Sequence, residues 1–577
     1  MAAMRREIVN RFPFAVLLAV ALGGHSLCAS AEQGAPPFIP MPTSFEMGQG
    51  ALELKADGRI IASEEELMPL AKVFALELKA AAGLSLKVCE GWAQATPCTL
   101  PAAGDLVLAL DPKAPEGGYL LDVTDRVEIR GHDYRGTAAG TVTILQAIET
   151  GEFTPVSLPR VTVRDEPRVD YCGITLNVAE REYPIEQLRE CIPLCRFYKV
   201  RYLHLRLTDD AAWTFPSTKY PQLGTKNPGT PNGGPPAPRY RLEDLTNLVH
   251  YADTLGVTLV PEIQMPGHSR IITGMLPEFG PDIGMMNITR DAVFPVLSNI
   301  LSEVAQVFAS SPYIHIGGDE ADFTKWVTLP EATNYVEKTG WDPPEILCRF
   351  FIRMNDMVKG LGKRTIMWEG FEPNDKCKVP ADVIVMSRDN PACPAEALIR
   401  DGYSIINCPR RFSASWESWG LYTCNGAALP TNAAVIGASW VVGANPSISP
   451  LELIRHAGRL SDRTWNVSTN WTSADFKRRL ARTDKVADRI LYRFSWRLVG
   501  PHVSGATTFK GATRLEAGPY AKDEVLRYTI DGSEPTAQSP VCRSIIELEA
   551  TTRMKARVFD SDGKPVGLTW TQTFILQ

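Results

Sequence analysis

A chain of 577 residues, 44% hydrophobic and 22% charged, has the composition of a folded globular protein of two to four domains and excludes a disordered or low-complexity one. A formal net charge of −6, with Lys and Arg scattered along the chain, excludes the basic footprint of a nucleic-acid binder. Twelve cysteines without a Cys-x-x-Cys pair argue against a thiol oxidoreductase or a zinc ribbon and fit an oxidising compartment.

In chain order, Arg5, Arg6 and Arg11 flank an apolar run over 12–22, and Ala29-Ser30-Ala31 supplies small residues where a peptidase cuts. Residues 1–31 are therefore predicted to be a signal peptide, and the protein to be exported, periplasmic or secreted. No later apolar run is long enough for a membrane span. Residues 32–165 read as a small α+β domain, with helices near 64–82 and 140–150 and strands near 105–110, 118–123 and 127–130. No chemistry-bearing constellation stands in it, so it is expected to be scaffold. Candidate disulfides are Cys89–Cys98, Cys377–Cys393 and Cys408–Cys424.

Residues 166–495 alternate short apolar strands with amphipathic helices. The strands are predicted at 171–176, 202–207, 257–261, 313–316, 364–368, 383–386, 403–407 and 435–440. Helices are predicted at 184–197, 242–255, 291–308, 344–361, 393–400 and 451–463. Eight such repeats predict a (β/α)8 TIM barrel. Residues 496–577 change to short alternating strands with Asp531-Gly532 and Asp562-Gly563 turns, which predicts a C-terminal β-sandwich, with Cys542 in it free to stay unpaired. The fold class is thus a multi-domain α/β chain with a central barrel between two smaller domains.

Ligands gather at the carboxyl ends of barrel strands, so the polar residues there are the candidates. The second strand brings His204, Arg206 and Thr208 with one parity, then Asp209 and Asp210; Glu262, Gln264 and His268 follow the third. The fourth holds His315 and ends in Gly317-Gly318-Asp319-Glu320, with Trp326 beyond; Trp368 and Trp440 end the fifth and eighth. Aromatic faces suit sugar rings, and carboxylates beside a histidine suit acid–base work.

The segments His315-Ile316-Gly317-Gly318-Asp319-Glu320, Leu207-Thr208-Asp209-Asp210-x-x-Trp213 and Pro261-Glu262-Ile263-Gln264-x-Pro266-Gly267-His268 resemble the β-N-acetylhexosaminidases of glycoside hydrolase family 20. Tyr528-Thr529-Ile530-Asp531-Gly532 resembles the C-terminal sandwich of chitobiase-like members. The resemblance implies exo-acting hydrolysis of a β-linked 2-acetamido sugar by a retaining, substrate-assisted mechanism, without cofactor or metal. Glu320 is then the acid and base, Asp319 the holder of the acetamido group, and His268 with Asp209 a relay behind Glu320. Trp368 and Trp440 line the pocket, and Trp326 lies behind its wall or at its rim.

Several sugar-holding positions depart from that pattern. Cys172 stands where an arginine is expected, Asn177 for an aspartate, Arg206 for a second histidine beside His204, and Gln264 for an aspartate. Arg206, Arg388, Arg410 and Arg411 raise the expectation of an anionic, for example sulfated, substrate. Two alternatives stay open. One is a sugar-binding member with weak or no turnover; the other is a metal-dependent barrel hydrolase using His204, His268 and His315. A glycan or glycoconjugate is the expected partner, and oligomeric state is not legible.

Overall fold

The computed structural model describes residues 37–577 except 93–99, 150–154, 228–237, 282, 372–375, 389, 391–392, 409–433, 443–456, 467–471, 501–502, 506 and 522. The predicted signal peptide, Cys98, Cys424, Arg410 and Arg411 lie outside the described residues.

The first sheet has seven strands: β1 (Ser44–Glu53), β2 (Arg59–Ala62), β3 (Lys87–Glu90), β4 (Leu106–Leu110), β5 (Tyr119–Val123), β6 (Val127–Gly131) and β7 (Ser157–Asp165), in the order β1-β7-β5-β6-β4-β2-β3. Helix Met68–Ala82 buries Leu70, Phe74 and Leu78 on one face, at the spacing an amphipathic helix requires. It stops at Gly83, whose φ of 68° lets its N–H close on Lys79 O. Helix Tyr134–Ala147 starts earlier than predicted, because the Asp133 side chain caps it by accepting from Gly136 N–H.

The barrel closes from β8 (Tyr171–Asn177), β9 (Tyr202–Arg206), β10 (Thr258–Met265), β11 (Tyr313–Gly317), β12 (Arg364–Trp368), β13 (Ile384–Ser387), β14 (Ser404–Asn407) and β15 (Val435–Val441), each paired in parallel with its neighbours in sequence. Period-2 alternation sorts the side chains. Ile174, Leu203, Leu205, Leu259 and Ile314 face the helical layer, while Tyr171, Tyr202, Val260, Tyr313 and Ile366 fill the lumen. Tyr171 and Tyr202 stack 4.5 Å apart at its floor. All six predicted barrel helices are present, the last described over Ala457–Trp465. Helix Ser473–Tyr492, opened by a capping box between Thr472 and Asp475, was not foreseen.

Two C-terminal sheets, antiparallel except where Thr508–Phe509 pairs in parallel with Trp570–Leu576, share their own apolar core, which includes Phe509, Leu515, Met554 and Phe574. Their first strand, β16 (Phe494–Val499), crosses the predicted boundary between residues 495 and 496. The cysteine pairing corrects the sequence reading: Cys377 bonds to Cys348 rather than Cys393, and Cys408 is a buried thiol rather than a partner of Cys424. Spacing along the chain could not show that Cys348, on helix Pro343–Gly360, faces the segment after β12. Cys89 is disulfide-bonded with its partner outside the described residues, and Cys542 is unpaired. No described helix is long and apolar enough to cross a membrane.

Buried ion pairs fasten the first sheet and its helix Met68–Ala82 to the barrel. Arg196 donates to both Glu77 oxygens at 2.7 and 2.8 Å, and Lys199 lies 3.0 Å from Asp165. Removing one partner leaves the other charge buried alone, so Glu77→Ala should cost about 3–5 kcal/mol of stability. A denaturant titration followed by tryptophan fluorescence will show it as a lowered midpoint.

Candidate active site

The sequence places two glycines ahead of Asp319 because the chain must turn there against its neighbour. Gly317 has φ 72°, and a Cβ on it would lie 2.1 Å from Gln264 Oε1. Gly267 precedes His268 for the same kind of reason: a Cβ there would meet Asp319 O at 2.5 Å. The loops after β10 and β11 are thereby pressed together. His268 and Glu320 both take left-handed backbone conformations, φ 48° and 54°, a strain that only surrounding structure can hold and that gathers at functional sites.

This packing brings together four of the predicted residues. His268 Nε2 lies 3.1 Å from Glu320 Oε2, and His268 Nδ1 lies 3.3 Å from Asp209 Oδ1 and 3.6 Å from Asp210 Oδ2. Asn177 Nδ2 donates to Asp209 Oδ2 at 2.9 Å. Burial disfavours a charge on His268, but the hydrogen bonds to Asp209 and Asp210 outweigh it and push the imidazolium up to about 10. Burial likewise opposes the Asp209 carboxylate, and His268 and Arg206 bring it down to about 2. Glu320 has 68% of its side chain exposed and so reaches open space from this fixed base. Asp319 turns Oδ2 towards Arg206 Nη1 at 3.5 Å and leaves Oδ1 buried without a hydrogen-bond partner.

Arg206 is a junction rather than a sugar ligand. Its Nη2 is 2.9 Å from Asp209 Oδ2, and its Nη1 is 3.9 Å from Glu262 Oε1 as well as facing Asp319. His204 belongs to the layer below. Its Nε2 lies 2.7 Å from Glu262 Oε2, and its Nδ1 is 3.0 Å from Thr175 Oγ1. His315 stacks on His204 at 4.7 Å, inside the lumen. Gly317 N–H donates to His315 Nδ1, and burial pushes the imidazole down to about 3, so it is neutral. Glu262 accepts from Trp368 Nε1 at 2.8 Å and Gln264 Nε2 at 2.6 Å. Although burial opposes its charge, the facing His315 and His204 rings and Arg206 hold it well below the usual carboxylate range.

A cavity of about 280 Å³ opens beside this cluster, lined by Asp319, Glu320, Trp368, Glu369, Phe371 and Arg388 among others. Three predicted sugar contacts stand elsewhere. Cys172 points into the outer core, where its thiol meets Thr464, because its strand parity is that of Ile174. Trp326 is fully buried, donating through Nε1 to Asn287 Oδ1 at 3.0 Å. Trp440 lies on the Ala438 side of β15 and packs against the same outer core. Conversely, Glu369, which the sequence did not single out, lines the cavity, as does Arg388, which the sequence offered only as positive charge for an anionic substrate. Their signal was position alone, each lying just past the end of a predicted strand. His204 and His315 group with Glu262, and His268 with Asp209 and Asp210, so the three histidines do not share one candidate metal site.

Comparison with known proteins finds similarity over most of the chain. Residues 170–414 match the catalytic domain of glycosyl hydrolase family 20, 35–166 match domain 2 of that family, and 504–568 match the chitobiase/beta-hexosaminidase C-terminal domain. A beta-hexosaminidase of Porphyromonas gingivalis is 30% identical over 360 residues, 57% of this chain and 45% of the relative. One from Vibrio furnissii is 29% identical over 54% of each. The chain thus spans about half the length of the relatives it matches. The fold is similar to a family 20 exo beta-N-acetylglucosaminidase of Vibrio harveyi in complex with N-acetylglucosamine, with a TM-score of 0.67 and 20% identity over 79% of this chain and 77% of that one. It is also similar to a beta-N-acetylhexosaminidase of Bacteroides fragilis, with a TM-score of 0.64 and 21% identity over 78% and 95%.

Because the folded pKa of His268 lies above its unfolded value, the stability from its pairing is full below about pH 6.5 and is lost as pH rises towards 10. A histidine NMR titration should find one imidazolium that persists into that range, and Asp209→Asn should lower its midpoint.

Proposed function

The chain belongs to glycosyl hydrolase family 20, and we propose that it is an exo-acting glycosidase. In this reading it releases a β-linked 2-acetamido-2-deoxy sugar, of the GlcNAc or GalNAc type, with the substrate's own acetamido oxygen as nucleophile. One observation carries the proposal: an exposed carboxyl, Glu320, rests on the His268–Asp209 pair, while next to it Asp319 keeps a buried acceptor without a partner.

That acceptor suits the acetamido N–H. Holding it turns the carbonyl oxygen onto the anomeric carbon and places a negative charge beside the developing oxazolinium cation. Glu320 gives its proton to the leaving oxygen and takes one back from the incoming water. His268, fixed by Asp209, stabilises the carboxylate that Glu320 becomes after the first transfer. Arg206 fixes Asp319 and Asp209 as a pair of anions. A metal-dependent reading fits the same residues less well, because the Arg206 guanidinium supplies positive charge to Asp209 and Glu262, which belong to the two metal-competent groups.

We also propose export, supported by the Arg-flanked apolar run at 12–22 and the Cys348–Cys377 bond. Mass spectrometry of the protein from its native host should find an amino terminus near residue 32.

On an aryl 2-acetamido-2-deoxy-β-glycoside, Glu320→Gln should reduce turnover by about 100- to 10,000-fold. Asp319→Asn should reduce it by about 100- to 1,000-fold. A thiazoline mimic of the cyclised intermediate should inhibit the unmodified enzyme. Equal cleavage of the analogue without the acetamido group would sink the substrate-assisted mechanism.

A further inference from the structure

On the reading above, a terminal sugar in this cavity needs donors for its remaining hydroxyls, and β8 does not supply them. The strand position where the family resemblance leads one to expect an arginine is Cys172, which faces the outer core. Arg206 is committed to Asp209, Glu262 and Asp319. Arg388 is differently placed. It lies one residue past the end of β13 and lines the cavity that Asp319, Glu320 and Trp368 line.

Three contacts hold it there. Register pairs Trp368 with Met386, so Glu369 and Arg388 both follow the ends of adjacent strands, one residue apart in register. The Glu369 carboxylate accepts the Arg388 backbone N–H, and Arg388 Cζ sits 5.2 Å from the centroid of the Trp368 ring, over its face. Yet among the described residues the guanidinium forms no ion pair, and its Nε is buried without a hydrogen-bond partner. An arginine seated on an aromatic ring with its donors uncommitted has lost most of the entropy that ligand binding costs.

We propose that Arg388 is the specificity-determining sugar clamp of this enzyme, binding hydroxyl oxygens of the terminal 2-acetamido sugar from β13 in place of the arginine missing from β8. Glu369 is its positioning residue. The ligand class is a neutral sugar. Among the described residues the cavity wall carries the carboxylates of Asp319, Glu320 and Glu369 beside the Arg388 guanidinium, so a sulfate or carboxylate substituent meets more like charge than opposite charge from them.

The test compares the full-length enzyme with Arg388→Gln and Arg388→Lys on an aryl 2-acetamido-2-deoxy-β-glucoside and on its 3-deoxy, 4-deoxy, 6-deoxy and 6-sulfated analogues. Circular dichroism and thermal unfolding establish that both variants are folded. In the unmodified enzyme, removal of a clamped hydroxyl should lower kcat/KM by about 10- to 100-fold. In Arg388→Gln the parent glycoside should fall by a similar factor while the same deoxygenation costs almost nothing further; Arg388→Lys, which keeps charge but not the fork, should lie between. Deoxy penalties that persist undiminished in Arg388→Gln overturn the clamp. So does a preference for the sulfated glycoside that Arg388→Gln abolishes, which makes the residue an anion receptor. If the unmodified protein hydrolyses none of these glycosides, the hydrolase reading fails separately. Calorimetry with the thiazoline mimic then decides the clamp: about tenfold weaker binding by Arg388→Gln supports it, while equal binding, or none by either protein, overturns it.

Discussion

The arrangement of the barrel mouth depends on one buried guanidinium. Arg206 comes from β9, yet it faces carboxylates on three consecutive strands or the loops that follow them: Asp209, Glu262 and Asp319. Without it, three anions would converge in a space where burial already penalises each, and the loss of a partner from such a group costs about 3–5 kcal/mol. With it, Asp209 stays ionised to orient His268, and Asp319 stays fixed beside Glu320.

Glu262 connects this layer to the one beneath. It takes hydrogen bonds from Trp368 and Gln264 and faces the rings of His204 and His315, so the tryptophan at the cavity wall is anchored through its indole N–H. The two departures at Arg206 and Gln264 belong together physically. An aspartate at 264 would set a second carboxylate against Glu262, whereas the Gln264 amide donates to it at 2.6 Å. An arginine at 206 supplies the fixed charge that a neutral histidine would lack. The lumen thus keeps a balanced charge with different residues.

The rest of the chain serves to hold these strands in register. The seven-stranded sheet and its helices are joined to the barrel by Arg196–Glu77 and Lys199–Asp165, and the Cys348–Cys377 bond ties the segment beyond the Trp368 strand to helix Pro343–Gly360. The strain at His268 and Glu320 persists because the loops that carry them are pressed together at Gly267.

By itself the sequence determined the barrel, its eight strands to within a few residues, and the pairing of Asp319 with Glu320 at the mouth. Those follow from period-2 and period-3.6 patterning and from a glycine pair that only a tight turn explains, all of which are local. Helix Ser473–Tyr492 was missed despite its Thr472–Asp475 cap, because its polar composition masks the apolar stripe. Tertiary structure alone decided which side of its strand each residue uses and what meets it across the lumen. Cys172 and Trp440 turned to the outer core, Trp326 was buried against Asn287, and Arg206 was claimed by carboxylates distant in sequence. Arg388 came to the cavity because β12 and β13 are paired in a register that no local pattern specifies. A strand's parity shows in its own residues, but the partner of a buried charge is set by closure of the whole barrel.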